Sequence, residues 1–196
     1  GMLFEASPGR HPDPRTLTPA ERTRLIEAVI ECWSLPCPLP VLDYVELIED
    51  YVQRAGAHDD ARRLGIQLQA ACRSWPSGGP SGGPSGGFCL VHHDLHAGNL
   101  LLSHTGWTLL DWEYAARGHP GLDAAALDLL LDLAPLERQQ LEAAAARHVG
   151  PLDWAALAEW RAGLDALWHF ARGRDESEAD ERISMTNGKL QIHQNL

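Results

Sequence analysis

His92, Asp94 and Asn99 fall within eight residues, in the stretch LVHHDLHAGNLLL that runs from Leu90 to Leu102. Asp111 follows twelve residues after Asn99, at the end of the next apolar run, in WTLLDWEYAARGHPGLD. The pattern is H-x-D-x-x-x-x-N, then a strand, then a carboxylate. One carboxylate can orient a hydroxyl nucleophile, while an Asn and a second Asp hold Mg²⁺ on nucleotide phosphates. Those three roles need residues of these types close together on rigid supports. The sequence offers such supports: an apolar strand over Phe88–Val91, a second over Leu100–Ser103, a turn at His104-Thr105-Gly106, and a third strand over Trp107–Asp111. A further turn is expected at Gly118-His119-Pro120-Gly121.

These blocks resemble the superfamily of aminoglycoside phosphotransferases, choline kinases and thiamine kinases, whose catalytic core is related to that of protein kinases. The resemblance implies that Asp94 is the catalytic Asp and that Asn99 and Asp111 are the Mg²⁺ ligands. It implies that His92 is the structural His opening the loop, and that Asp123, after the G-x-P turn, braces the catalytic segment. Glu113, two residues beyond Asp111, is either an aid to metal or cationic substrate or a solvated acid. The implied phosphoryl donor is ATP or GTP, and the implied acceptor is the hydroxyl of a small molecule. His93 departs from the pattern, because a small residue, often Gly, is common there.

The same resemblance organises the rest of the chain. Residues 2–9 look like the hinge strand that joins two lobes, with backbone groups at Glu5, Ala6 and Ser7 facing the adenine. Thr18-Pro19-Ala20-Glu21 is a capping box with proline at the first helical position. Leu25, Ile26, Val29, Ile30 and Trp33 continue at helical spacing. In the family this helix usually ends in a Leu-His pair; here Cys32-Trp33 takes that place. Further helices are expected from about Asp43 to Arg54, from about Asp59 to Arg73, and over 122–132, 135–148 and 153–172. Trp154, Trp160 and Trp168 read as helical-bundle core. The expected fold is α+β and mainly α: the C-terminal lobe of a kinase-like fold over 2–174, with a few short strands beside the catalytic loop. An acidic break and a hairpin around Asn187-Gly188 follow over 175–196.

Two absences of pattern shape the expectation. Lys189 is the only lysine, so nothing upstream of Asp94 can supply the Lys that a kinase N-lobe brings to the α/β-phosphates. The repetitive tract SGGPSGGPSGG at 77–87 contains neither G-x-G-x-x-G nor GK[ST], and reads as a flexible surface loop within 76–87. The N-terminal β-lobe is therefore expected to be missing and activity to be weak. A non-catalytic module that keeps the C-lobe is the second reading. A metal-dependent hydrolase is the third, and the order H-H-D-L-H does not match the H-x-H-x-D-H of dinuclear sites.

Composition sets the outer limits. With 196 residues and 44% hydrophobic content, the chain can bury one substantial core. A net charge of −11 argues against nucleic acid and suits a cationic acceptor. No apolar run reaches the about eighteen residues of a membrane span, and four scattered cysteines read as reduced thiols in the cytoplasm. The exposed lobe boundary, with the open strand edge of 2–5, is expected to self-associate as a homodimer.

Overall fold

The computed structural model describes residues 9–74 and 87–173. Glu5, Ala6 and Ser7 with the hinge strand, the Gly-Pro-Ser tract up to 86, and the tail hairpin lie outside the described residues.

Helix α1 (Pro19–Trp33) begins where the capping box places it: Thr18 Oγ1 accepts from Glu21 N–H, and Glu21 Oε2 accepts from Thr18 N–H at 2.7 Å. Asp43 caps α2 (Tyr44–Ala55) by accepting from Val45 N–H at 2.9 Å, and Gly56 ends it at φ 69°. Helix α3 (Asp59–Ser74) follows, then strands β1 (Cys89–Val91), β2 (Leu100–Ser103), β3 (Gly106–Leu109) and β4 (Ala116–Gly118). Helices α4 (Gly121–Leu131), α5 (Pro135–Val149) and α6 (Trp154–Ala171) complete the described part. It is mainly helical with short strands, as the sequence implied.

The strands make two small antiparallel ribbons. β1 pairs with β4, Cys89 opposite Gly118 and Val91 opposite Ala116; β2 pairs with β3, Leu100 opposite Leu109 and Ser103 opposite Gly106. Arg10 adds a bridge to the free side of β2, giving its N–H to Leu102 O at 3.0 Å. Both ribbons open toward the loop between Val91 and Leu100.

Helix α4 explains why the core can hold them. It is apolar on nearly every side, with Leu122, Ala124, Ala125 and Leu127 all buried. Its Leu127 packs in a cluster with Leu25, Ile26 and Val29 of α1, Val91 of β1 and Leu141 of α5. Its Leu122 packs in a second cluster with Ile48 of α2, Leu68 of α3 and Trp160 and Leu167 of α6. Trp160 is core, as its spacing implied, and its Nε1–H donates to Leu68 O at 3.1 Å. Trp154 is partly buried and donates to Asp128 Oδ2, while Trp168 is covered by the Arg172 guanidinium at 4.6 Å. The helices thus clamp the first turn of α4, and Asp123 sits in that turn.

Candidate active site

The catalytic-type loop leaves β1 at Val91 and is caught at once by Asp123. Its Oδ2 accepts from His92 N–H at 2.9 Å and its Oδ1 from His93 N–H at 3.0 Å, while Trp33 Nε1–H lies 3.4 Å from Oδ2. Asp123 is only 2% exposed, and a carboxylate that deep needs such donors. Its place in the first turn of α4 adds the favourable field of a helix N-terminus. Trp33 stands where the resembled family usually ends its helix with His, and here it supplies the indole N–H.

His92 carries the support onward. Its Nε2–H donates to Leu110 O at 2.7 Å, and its Nδ1 accepts from Asp94 N–H at 3.3 Å; that pair of partners places the proton on Nε2. Asn99 closes the loop, giving Nδ2–H to Asp94 O at 3.0 Å and to Asp94 Oδ2 at 2.9 Å. Leu110 N–H donates back to Asn99 O at 2.8 Å. The structure therefore brings His92, Asp94, Asn99, Leu110 and Asp123 into one hydrogen-bonded unit. The Asp94 side chain is 34% exposed, open to a ligand while its loop is fixed. His96 is a loop residue: its Nδ1 accepts from Gly98 N–H, and its Nε2 lies 3.6 Å from Asp94 Oδ2.

Asp111 lies just past the strand expected to contain it. β3 stops at Leu109, and Asp111 takes the left-handed conformation, φ 57° and ψ 70°, which Asp tolerates better than most residues. Its side chain is exposed and caps nothing. Trp112 anchors the turn, donating Nε1–H to Leu109 O at 3.0 Å with its ring 4.7 Å from that of His92. Glu113 is exposed in the same turn.

The donor set fits Mg²⁺. Both amide hydrogens of Asn99 point at Asp94, so its remaining polar atom, Oδ1, is an acceptor, and the exposed Asp111 carboxylate would be a second hard oxygen donor. No group of three or more His, Cys, Asp or Glu among the described residues could hold a metal alone. An ion held here takes most of its shell from water and phosphate oxygens, as Mg²⁺ on a nucleotide does.

Four residues meet beside the loop with no role assigned from the sequence: His93, Tyr44, Gly118 and His119. His93 sits at φ 67°, where glycine is favoured, so the departure from the family pattern marks a backbone that still needs that conformation. Its ring Nε2 is 2.8 Å from the Tyr44 hydroxyl, which also accepts from His119 N–H at 2.9 Å. Gly118 makes room for this meeting, because a Cβ there would come 2.5 Å from His93 Nε2. Burial pushes the imidazoles of His93 and His119 each down to about 4. The only signal available was His93 itself, a bulky residue in a slot usually filled by a small one.

Comparison with known proteins agrees with this fold. The chain resembles the choline kinase LicA of Streptococcus pneumoniae, at 18% identity and TM-score 0.63, over 88% of this chain and 64% of that one. It resembles a choline kinase of Cryptosporidium parvum Iowa II at 14% identity and TM-score 0.69, over 97% of this chain and 71% of the other. At these identities the likeness establishes the fold. The thiamine kinase of Shigella boydii is 51% identical over 37 residues, 19% of this chain and 14% of that protein. The chain thus spans well under two thirds of the curated relatives it matches. A model of the phosphotransferase enzyme family matches residues 2–160, and the chain belongs to that family.

Proposed function

We propose that this chain carries the catalytic loop and metal-holding residues of an ATP- and Mg²⁺-dependent phosphotransferase acting on a small-molecule alcohol, with GTP as the other candidate donor. The observation that carries the reading is the Asn99 amide, which binds Asp94 through both hydrogens and leaves Oδ1 for a cation. Asp94 Oδ1, which none of these contacts engages, orients the acceptor hydroxyl and takes its proton as the new O–P bond forms and the bond to the nucleoside diphosphate breaks. Asn99 Oδ1 and the Asp111 carboxylate would hold the ion, which would supply neutralisation of phosphate charge. His92, Asp123 and Trp33 keep the loop from moving while this happens. Glu113, exposed beside Asp111, is available to water-bound metal or to a cationic acceptor.

The net charge of −11 supports a cationic acceptor, and choline and thiamine, the substrates named for the relatives, are both alcohols bearing a permanent positive charge. Within these 196 residues the lone lysine is Lys189, so the stretch before Asp94 holds no lysine ammonium for the phosphates. Losing such a donor costs on the order of 10²–10³ in rate, so these residues alone turn over weakly. The second reading is a module that binds nucleotide without using it. Self-association of two copies through the lobe-boundary face belongs to the proposal too, and light scattering that finds a monomer refutes it.

The test is ADP release from Mg²⁺·ATP with a panel of cationic and neutral alcohols, for wild type and Asp94→Ala. Acceptor-dependent release lost in Asp94→Ala, with nucleotide affinity kept, supports catalysis. Tight Mg²⁺·ATP binding with no release for any acceptor supports the binding module. Release that survives Asp94→Ala refutes the role given to Asp94.

A further inference from the structure

The conformation of His93 needs an explanation. At φ 67° a side chain incurs a cost that glycine does not, and the residue next along the chain is Asp94. The His93 N–H donates to Asp123 Oδ1 at 3.0 Å and its ring Nε2 lies 2.8 Å from the Tyr44 hydroxyl, while the backbones of Tyr114 and Val91 also face the imidazole.

Tyr44 comes from elsewhere in the fold. It is the first residue of α2 and is fully buried. Its ring stands edge-on to Trp160 of α6, with centroids 5.5 Å apart, and Trp160 is tied in turn to Leu68 of α3. Its oxygen accepts from His119 N–H in the turn that leads into α4. The hydroxyl thus joins the segment that precedes Asp94 to the turn that precedes Asp123. Gly118 lies beside this junction, where even a methyl group would collide with His93 Nε2 and the Tyr44 hydroxyl. The geometry was made by leaving a side chain out and bringing a hydroxyl in.

Any buried tyrosine hydroxyl needs partners; what sets Tyr44 apart is that its partners are the residue before Asp94 and the turn into α4. We infer that Tyr44 is a positioning residue for Asp94: through His93 it locks the left-handed turn of the loop, so the carboxylate's placement depends on a hydroxyl contributed by α2. The inference rests on Asp94 being the nucleophile-orienting carboxylate, but the locking of the loop can be measured separately.

The experiment is a double-mutant cycle on the full chain with Tyr44→Phe and His93→Gly, read by amide hydrogen exchange at residues 93 and 94 and at Leu141 in α5. Tyr44→Phe removes one oxygen and strands a buried imidazole nitrogen, so exchange at 93 and 94 rises about tenfold while Leu141 holds its rate. In the His93→Gly background, where the turn needs no lock, the same change has little effect. Equal acceleration in both backgrounds, or equal acceleration at Leu141, overturns the inference. Should Tyr44→Phe not fold, His93→Asn serves in its place, since Asn accepts the left-handed turn but is too short to reach the hydroxyl; unchanged exchange at Asp94 in that variant overturns it equally. Where phosphoryl transfer is measurable, Tyr44→Phe lowers kcat about ten- to a hundred-fold, as a misplaced group does, with KM for nucleotide unchanged. A loosened loop with unaltered kcat refutes the positioning role. The expected exchange pattern in a chain that phosphorylates nothing refutes the enzymatic reading and leaves the lock standing.

Discussion

Replacing Asp123 tests whether the loop is held from below, and the size of the effect follows from the contacts. The carboxylate accepts two backbone N–H groups, from His92 at 2.9 Å and His93 at 3.0 Å, with the Trp33 indole further off at 3.4 Å. Hydrogen bonds to a charged group contribute about 1.5–3 kcal/mol each, so Asp123→Ala should cost about 3–6 kcal/mol, counting the two short bonds only. Asp123→Asn keeps one oxygen acceptor and turns an NH₂ toward the other donor, so it should cost about half as much. Against a total stability of about 5–15 kcal/mol, the alanine variant approaches unfolding and the asparagine variant does not. Urea denaturation followed by circular dichroism gives both values in one experiment. An alanine variant within about 1 kcal/mol of wild type would refute the reasoning, because it would mean the loop backbone finds water or other partners at no cost. An asparagine variant as unstable as the alanine one would show that the charge, and not the oxygen geometry, does the holding.

Acid should weaken the fold through His93 and His119. Burial holds both near 4, below their ordinary 6.5, so the unfolded chain binds more protons between those limits. Their contribution is complete above about pH 6.5 and is lost as pH falls toward 4, at about 1.4 kcal/mol per pH unit for each ring; urea midpoints equal at pH 7.5 and pH 5 would refute this. Asp111→Ala should weaken Mg²⁺·ATP binding in calorimetry at least tenfold, and equal binding by both proteins removes Asp111 from the metal. Gly118→Ala should lower stability by about 1–3 kcal/mol through overpacking against His93 and Tyr44, and an unchanged melting temperature would show that the junction can give way.

Local signals were legible in the sequence and distant ones were not. The start of α1 could be read from Thr18 and Glu21, because a capping box is made by residues three apart. The grouping of His92, Asp94 and Asn99 could be read from spacing, since five residues of loop suffice to bring the Asn99 amide back onto Asp94. The three-residue strand β4 leaves no signal in the sequence, because a strand so short has no period and its partner β1 lies far upstream. The third strand was read through to Asp111, but the left-handed turn at Asp111 ends the pairing at Leu109. Tyr44 carries no signal beyond its place at the start of a helix, and Trp33 none beyond helical spacing and the end of α1: their polar ends meet His93 and Asp123 across 49 and 90 residues of sequence, and no local pattern reports such a meeting.

The β2–β3 hairpin has a consequence for how this chain can vary. Leu110 N–H meets Asn99 O at the open end of the hairpin, where Leu100 faces Leu109, and this is what brings Asp111 up to Asn99. Twelve residues separate the two along the chain, yet nothing at the site senses that number. Residues added at the far tip, His104-Thr105, would lengthen the path and leave the closing pair untouched. One residue added inside either strand would turn every later side chain to the opposite face. The tip is therefore a permissive site for inserted tags or reporter peptides, and the four pairs below it are an intolerant one.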